Sequence, residues 1–314
     1  MPLLIPARWS DGGGPARKAT GGDAASMSEE RDVSRGRGAP FLADCSNPDC
    51  ASGWLHLWRR RTAPVFEGGW CCSPACVRAR VETSLHREND SRGASLERHR
   101  HRVPLGLVML EQGWITAADL RRALDAQRAS GGGRLGSWLV RGRAATETMV
   151  TRALGLQWNC PVLSPDLATP EALTVLLPRL FVDAFGALPL RVAAARILYL
   201  GFEDRLDPAL ALAVERMLGL RVESGLVVES HFRVLQERML EARFPGVELI
   251  EAASLPTLAR VLAQAIEAER PVEARLVRVH DFFWLRLWRR EPVGQVTDTE
   301  GVRDLICTLA ESGA

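Results

Sequence analysis

An internal repeat with an offset of 30 residues constrains this chain more than any other feature of its sequence. Residues 104–127 read PLGLVMLEQGWITAADLRRALDAQ, and residues 134–157 read RLGSWLVRGRAATETMVTRALGLQ. Both copies contain a Leu-Gly pair, an apolar residue after it, a threonine, and an apolar stripe that ends in glutamine. A repeat of this kind is typical of a small supersecondary unit that buries its apolar face against a second copy.

Each copy is predicted to fold as two short helices. The first helix begins at Leu-Gly and ends near Gly113 or Gly142, because glycine readily adopts the left-handed conformation at a helix C-terminus. Thr116 and Thr146 are expected to cap the second helix, since a threonine hydroxyl accepts a hydrogen bond from a free backbone amide. In that helix the apolar residues and the glutamine share one face. The glutamine amide needs a hydrogen-bond partner, which is either protein or ligand.

The double motif resembles the MshEN-type domain, the N-terminal regulatory region of the GspE/PilB-like assembly ATPases of type II secretion and type IV pili. The unit of that family reads R-L-G-x-x-L and, after ten residues, L-x-x-x-L-x-x-Q, and the second copy here fits it from Arg134 to Gln157. The first copy has Pro104 in place of the arginine. Residues 176–239 are similar to the βα region that follows in the family, so the resemblance spans nearly half of the chain.

This resemblance implies a binding site for the bacterial second messenger cyclic di-GMP. In that family the leucines make apolar contacts with the dinucleotide, the arginine approaches guanine or phosphate, and backbone amides at helix starts face the anion. The positions that carry over as ligand-binding are Arg134, Leu135, Gly136, Leu139, Leu154 and Gln157, then Leu105, Gly106, Leu124 and Gln127. The alternative is that both copies form only a packed scaffold, with the leucines as its core.

The sequence lacks the motor of an assembly ATPase. A P-loop reads G-x-x-x-x-G-K-[ST], and its lysine contacts the phosphates. The chain has a single lysine, Lys18, which stands outside any strand–loop–helix pattern. The glycine cluster at residues 131–136 has no lysine and is the spacer of the repeat. We therefore expect a protein that is not an enzyme.

Five cysteines between Cys45 and Cys76 predict a metal site. Cys45 with Cys50 and Cys72 with Cys76 form two close pairs, and paired thiolates suit a tetrahedral structural Zn²⁺. With about 40 residues and few aliphatic side chains, this module needs such a staple in order to fold. The stretch WCCSPAC resembles the end of treble-clef fingers of the MYM/FCS type. The spacing leaves open whether Cys71 or Cys72 is the ligand, and free or redox-active thiols are the alternative to a metal.

Charge and hydropathy limit the remaining possibilities. The net charge of +2 disfavours a general nucleic-acid or membrane-surface partner, so a transcription-linked zinc protein ranks last among the hypotheses. The sequence has no apolar run that suits a signal peptide or a membrane span, and we expect a cytoplasmic protein. Its true start is either Met1 or Met27.

We predict an α+β multidomain chain with a small zinc ribbon or treble clef, a tandem helical-repeat bundle and mixed βα domains. The predicted parts are a disordered tail (1–40), a cysteine module (41–85), a linker (86–102), the repeat (103–160), a βα domain (161–246) and a C-terminal α/β unit (247–314). In the last unit we predict a helix near Leu255–Ala268, a hairpin through Ala274–Val279 and Phe282–Trp288, and a closing helix from Glu300.

Two functions follow from these features. The first is a non-catalytic regulatory protein that links cyclic di-GMP to a protein partner, with secretion or pilus assembly components as the candidates. The second is a zinc-stapled protein–protein adaptor of the same machinery that binds no nucleotide.

Overall fold

The fold combines helices with three small sheets. The computed structural model describes residues 44–51, 64–90, 102–164, 170–290 and 299–310, which all belong to one compact unit, Leu42–Ala314. These residues contain nine α-helices and nine strands, so the predicted mixture of helix and strand is confirmed. The predicted tail 1–40 lies outside the described residues. No helix among the described residues is both long enough and apolar enough to cross a membrane.

The cysteine segment forms a short hairpin followed by a helix. Its elements are β1 (Val65–Phe66), β2 (Gly69–Trp70) and α1 (Pro74–Asp90). The helix therefore continues through residues 86–90, which the sequence analysis placed in the linker. The face of α1 that packs against the protein continues into this last part of the helix, where Leu85 and Glu88 are both buried.

The repeat region consists of four short helices. They are α2 (Leu105–Glu111), α3 (Ala117–Ala129), α4 (Leu135–Arg141) and α5 (Glu147–Trp158). Both threonine caps are confirmed: the Thr116 hydroxyl accepts a hydrogen bond from the Asp119 amide, and the Thr146 hydroxyl accepts one from the Met149 amide. Gly113 adopts the predicted left-handed conformation. Helix α4 ends at Arg141, next to Gly142 as predicted, but Gly142 is not left-handed: its φ is −76°, and the next residue, Arg143, takes the positive φ instead.

The four helices pack crosswise around a small core. Helix α3 packs against α4, and α2 packs against α5, so each copy contacts the other. Met109 and Leu139 occupy equivalent positions in the two copies, and both are fully buried in this core. The core also contains Ala123 and Ala153, whose small side chains allow the helices to approach closely.

The following region is a three-stranded sheet covered by helices. Its elements are α6 (Arg179–Ala184), β3 (Leu188–Ala193), β4 (Ile197–Phe202), α7 (Pro208–Leu218), β5 (Arg221–Leu226) and α8 (Glu229–Glu241). Strand β4 lies in the middle, antiparallel to β3 and parallel to β5. The loop after β4 returns toward the repeat helices and begins with Glu203 and Asp204.

The C-terminal region is a four-stranded sheet with one helix. Its elements are β6 (Gly246–Ala252), α9 (Leu255–Glu269), β7 (Glu273–Val279), β8 (Phe282–Trp288) and β9 (Val302–Leu309), and the strand order is β6-β9-β8-β7. The predicted helix and hairpin are confirmed. The predicted closing helix from Glu300 is wrong: only Thr299–Gly301 is helical, as a 3-10 turn, before β9 begins. Strand β9 lies inside a sheet that is covered on both faces, so its residues 304–307 are all buried, without strict alternation.

The cysteine segment and the C-terminal sheet share one hydrophobic core, although the sequence analysis placed them in separate parts. Phe66, Val77 and Leu85 are buried together with Leu262 of α9 and Leu285 of β8. At the edge of the sheet, the Glu67 amide donates a hydrogen bond of 2.7 Å to the Ala274 carbonyl oxygen, so β1 covers β7. Residues near the two ends of the described chain therefore pack together in one core.

The other face of the C-terminal sheet packs on the middle region, and a buried ion pair lies there. Arg286 and Asp304 are almost completely buried, and the guanidinium Nε lies 2.7 Å from the carboxylate Oδ1. Arg286 also donates to the carbonyl oxygens of Val175 and Leu176, while Trp284 donates to Asp304. The pair is thus fully hydrogen-bonded and ties the sheet to the chain segment before α6.

Candidate functional site

A cavity of about 380 Å³ lies beside the second Leu-Gly pair. Five of the ten predicted ligand-binding residues line it, namely Leu105, Arg134, Leu135, Gly136 and Leu154. The remaining wall consists of Ser137, Val140, Arg141, Glu147, Val150, Thr151, Glu203, Asp204 and Glu229. Since Leu105 belongs to the first copy and the other four predicted residues belong to the second, both copies contribute to one cavity.

The polar side of the cavity combines an arginine with several carboxylates. Nη1 of Arg134 lies 3.2 Å from a carboxylate oxygen of Glu203 and 3.2 Å from one of Asp204. Glu147 and Glu229 add two further acids to the wall. The site therefore presents guanidinium donors and carboxylate acceptors side by side, which suits a ligand with both acceptors and donors on one edge.

Sequence reasoning missed these acidic residues. Glu203 stands 69 positions after Arg134, in a loop that no part of the repeat motif predicts. The sequence contains one signal, the acidic pair Glu203-Asp204 directly after a buried strand. This pair becomes a candidate for the site only when the structure shows that the loop after β4 lies beside Arg134.

The two motif glycines have a packing role within their own copies. A Cβ atom on Gly106 would lie 2.7 Å from the side chain of Leu120, and one on Gly136 would lie 2.6 Å from Val150. Such distances are far below van der Waals contact, so the first helix of each copy packs on the second through a bare backbone. Gly136 meets this packing demand and also lines the cavity.

The two motif glutamines are satisfied by the protein itself. The Gln127 side chain donates to the Gly133 carbonyl oxygen at 2.5 Å, and the Gln157 side chain donates to the Val103 carbonyl oxygen at 2.7 Å. Each of these carbonyls lies two residues before the Leu-Gly pair of the other copy. The sequence left open whether protein or ligand would bind these amides, and in this structure it is protein.

The three remaining predicted residues also lie outside the cavity wall. Leu139 is fully buried in the core, and Gly106 is buried against Leu120. Leu124 is half-buried and lies outside the cavity wall.

The four predicted metal ligands come together in a second site. The Sγ atoms of Cys45, Cys50, Cys72 and Cys76 all lie within 4.8 Å of one another. The Cys50–Cys72 and Cys72–Cys76 sulfur distances are 3.5 and 3.6 Å. A tetrahedron with Zn–S bonds of about 2.3 Å has sulfur–sulfur edges of about 3.8 Å, so the cluster has the size of a four-thiolate site.

Local geometry distinguishes the two adjacent cysteines. Cys72 belongs to the four-sulfur cluster, whereas Cys71 does not, and the Cys71 sulfur lies 3.4 Å from the Ser46 hydroxyl. Of the two adjacent cysteines, the geometry therefore favours Cys72 as the predicted ligand.

The electrostatics of the cluster suit a cation. Burial raises the pKa of Cys72 to about 12. At Cys76 burial opposes ionisation, but hydrogen bonds with Ser73 and Asn47 outweigh it and lower the pKa to about 7. Several thiolates this close repel one another unless a positive charge lies between them, and soft thiolate ligands select metals such as zinc. The residues present therefore fit a bound metal.

Comparisons with known proteins give a partial match. No known protein family and no curated protein matches the sequence. A solved structure of MshE with cyclic di-GMP is 27% identical, covers 44% of this chain and 99% of its own, and has a TM-score of 0.34. Two crystal forms of the XpsE N-terminal domain are 21% and 23% identical, each covers 43% of this chain, and their own chains are covered to 92% and 93%, with TM-scores of 0.29 and 0.23. Both names fall within the MshEN/GspE N-terminal group that the double motif resembles.

Proposed function

We propose that this chain is a non-catalytic regulatory protein that binds a guanine dinucleotide of the cyclic di-GMP type in the cavity beside Arg134. The observation that carries the proposal is the convergence of five motif residues, from both copies, on one cavity. The motif identifies these residues from their sequence positions alone. If the repeat had only a structural role, there would be no reason for them to surround a cavity. Bound nucleotide would then regulate a protein partner, for which secretion or pilus assembly components are the candidates.

The chemistry of the cavity favours a guanine base over a bare phosphate next to Arg134. Guanine presents the acceptors O6 and N7, which accept hydrogen bonds from an arginine guanidinium. Its N1 and N2 groups donate hydrogen bonds, which carboxylate oxygens accept. Glu203 and Asp204 stand beside the same guanidinium. A phosphate has acceptors only and would be repelled by these carboxylates. The apolar side chains of Leu105 and Leu154 provide contact area for the base.

Calorimetry with the full chain tests this function. Cyclic di-GMP should bind, and cyclic di-AMP should bind more weakly because adenine lacks the donor and acceptor pattern that Arg134, Glu203 and Asp204 match. Arg134→Ala should weaken binding about tenfold or more, the loss of a charge-assisted hydrogen bond. Arg128→Ala is the matched control, because Arg128 is largely exposed on α3 and pairs with Asp125 of the same helix. Absence of binding at tens of micromolar cyclic di-GMP would contradict the proposal.

A second candidate is an adaptor that binds no nucleotide. It is favoured by the scaffold roles of Leu139, Gln127 and Gln157, which the motif resemblance assigned to the ligand. An affinity pull-down that recovers the same assembly components in equal amounts with and without cyclic di-GMP would support the adaptor. Recovery that changes with cyclic di-GMP would support the regulator.

Within either function, Cys45, Cys50, Cys72 and Cys76 would hold a structural Zn²⁺. The metal would neutralise the thiolates and fix the start of α1 to the loop that carries Cys45 and Cys50. Because all four positions are protein ligands, the site leaves no open position for a catalytic water.

A further inference from the structure

Two arginines from distant segments meet on one tryptophan at the end of α5. The guanidinium carbon of Arg102 lies 2.9 Å from the centre of the Trp158 indole ring, and that of Arg205 lies 5.9 Å from the same ring. Arg102 stands just before α2, whereas Arg205 belongs to the loop between β4 and α7. The indole thus brings together two cations that are 103 positions apart in the sequence.

Stacking leaves the hydrogen-bonding edge of a guanidinium free. Contact with an aromatic face uses the π surface of the planar group, while its N–H donors point outward in the plane. In the stretches that the structure describes, neither Arg102 nor Arg205 forms an ion pair with a carboxylate. Burial and the positive charge of Arg205 both lower the pKa of Arg102, so each guanidinium lies within the field of the other. Two uncompensated cations with free donors are the elements of an anion site.

Each member of this group lies close in the chain to a residue that lines the cavity beside Arg134. Trp158 follows Leu154 by one helical turn and therefore lies on the same face of α5. Arg205 directly follows Asp204, which lines the cavity, and Arg102 precedes Leu105 by three residues. The only arginine that the motif places at the cavity, Arg134, is already occupied by Glu203 and Asp204. The other arginine of the cavity wall, Arg141, is stacked on Trp138. Arg102 and Arg205 would add positive charge beside a wall that is otherwise rich in carboxylates.

We infer that Arg102 and Arg205, held side by side by Trp158, form the phosphate subsite of the nucleotide site. This inference rests on the proposed function and assigns a second part of the ligand, a phosphodiester, to residues that the motif does not contain. It also explains how the first copy functions with Pro104 at the position of the motif arginine. Arg102, two residues before Pro104, supplies a guanidinium group that is stacked on Trp158. It therefore does not need to occupy the position of the motif arginine at the start of α2.

Calorimetric titration of the full chain with cyclic di-GMP tests the assignment. Arg102→Ala and Arg205→Ala should each weaken binding about tenfold, and both variants should reduce its salt dependence, because a phosphate contact is lost. Trp158→Leu should weaken binding several-fold although it removes no charge, since the two guanidinium groups lose their common support. Arg152→Ala is the matched control on the exposed side of α5, and its affinity should equal that of the wild type. Thermal unfolding of each variant verifies that the fold is retained.

Ligands without phosphate separate this subsite from the base site. Guanosine should bind the wild type and Arg102→Ala equally, whereas GMP should bind the variant more weakly. If the wild type binds cyclic di-GMP and Arg134→Ala weakens it, but Arg102→Ala and Arg205→Ala leave the affinity unchanged, the phosphate assignment is overturned and the proposed function stands. If the wild type binds no cyclic di-GMP, both are overturned.

Discussion

The side-chain amide of Gln157 donates a hydrogen bond to the backbone carbonyl of Val103, 54 positions earlier in the chain. Gln127 forms the equivalent bond with Gly133, so each copy of the repeat fastens the segment that leads into the other copy. The glutamine that ends each motif therefore has a structural role that is reciprocal between the two copies. This reciprocal pair of hydrogen bonds explains why glutamine occupies the equivalent position in both copies of the repeat.

Replacing Gln157 should therefore lower stability. Gln157→Ala should reduce the free energy of unfolding by about 1 kcal/mol, the net contribution of one such hydrogen bond. Gln157→Glu should be at least as destabilising at neutral pH, because a carboxylate cannot donate and would face the Val103 carbonyl. Urea denaturation measures both effects, with Gln112→Ala, at the exposed position directly after α2, as the control. Equal midpoints for Gln157→Ala and the control would refute the structural role.

The motif glycines are expected to tolerate no side chain. Gly136→Ala would place a Cβ atom 2.6 Å from the Val150 side chain and should destabilise the fold by about 1–3 kcal/mol, as overpacked cores do. Gly246→Ala is the matched control, because nothing lies within 4 Å of its Cβ position. The double variant Gly136→Ala/Val150→Ala should recover part of the loss in thermal unfolding. Failure of any rescue would mean that the glycine is needed for another reason.

The buried pair of Arg286 and Asp304 should be costly to break. Asp304→Ala leaves the Arg286 guanidinium buried without its counter-charge, and loss of one partner of such a pair typically destabilises by about 3–5 kcal/mol. The exposed pair of Arg78 and Glu82 provides the contrast, since Glu82→Ala should cost only about 0.3–0.5 kcal/mol. Chemical denaturation of the two variants measures the difference. Similar losses in both would show that Asp304 is not the main partner of the buried arginine.

Metal removal should loosen the C-terminal sheet as well as the cysteine segment. The full chain should contain one zinc ion, which Cys72→Ser should lose and Cys71→Ser should retain, as elemental analysis can determine. Because Phe66 and Leu85 share a core with α9 and β8, a chelator should increase amide hydrogen exchange in β7 and α9. Exchange that increases only in residues 44–90 would mean that the two regions are energetically independent.

Features with local causes could be predicted from the sequence. The Thr116 and Thr146 caps, the hairpin of β7 and β8, and helix α9 all depend on residues that are near one another in the chain. The cysteine cluster also followed from spacing, although Cys71 and Cys72 became distinguishable only from the positions of their sulfur atoms in the structure. At the cavity, the motif identified five of the repeat residues that line it.

Features with distant causes could not be predicted. The short apolar run at residues 305–307 of β9 is compatible with a helix or with a strand, and only its position between β6 and β8 decides. Glu203 and Asp204 belong to a different segment from Arg134, and no spacing rule connects them. The contact between the β1–β2 turn and β7 joins residues more than 200 positions apart, as the hydrogen bond from the Gly68 amide to the Glu273 side chain, with its separation of 205, illustrates. Contacts at such separations leave no periodicity in the sequence.

The shared core of α1 and the C-terminal sheet has a consequence for biosynthesis. Helix α1 is completed early in translation, but the apolar surface that covers it is synthesised only after the repeat and the middle region. Contacts of such long range close slowly, and a helix with an unprotected apolar face is prone to aggregate meanwhile. A metal ion bound by four nearby cysteines would hold the hairpin and the start of α1 together during this wait, so zinc supply should affect the yield of folded protein as well as its stability.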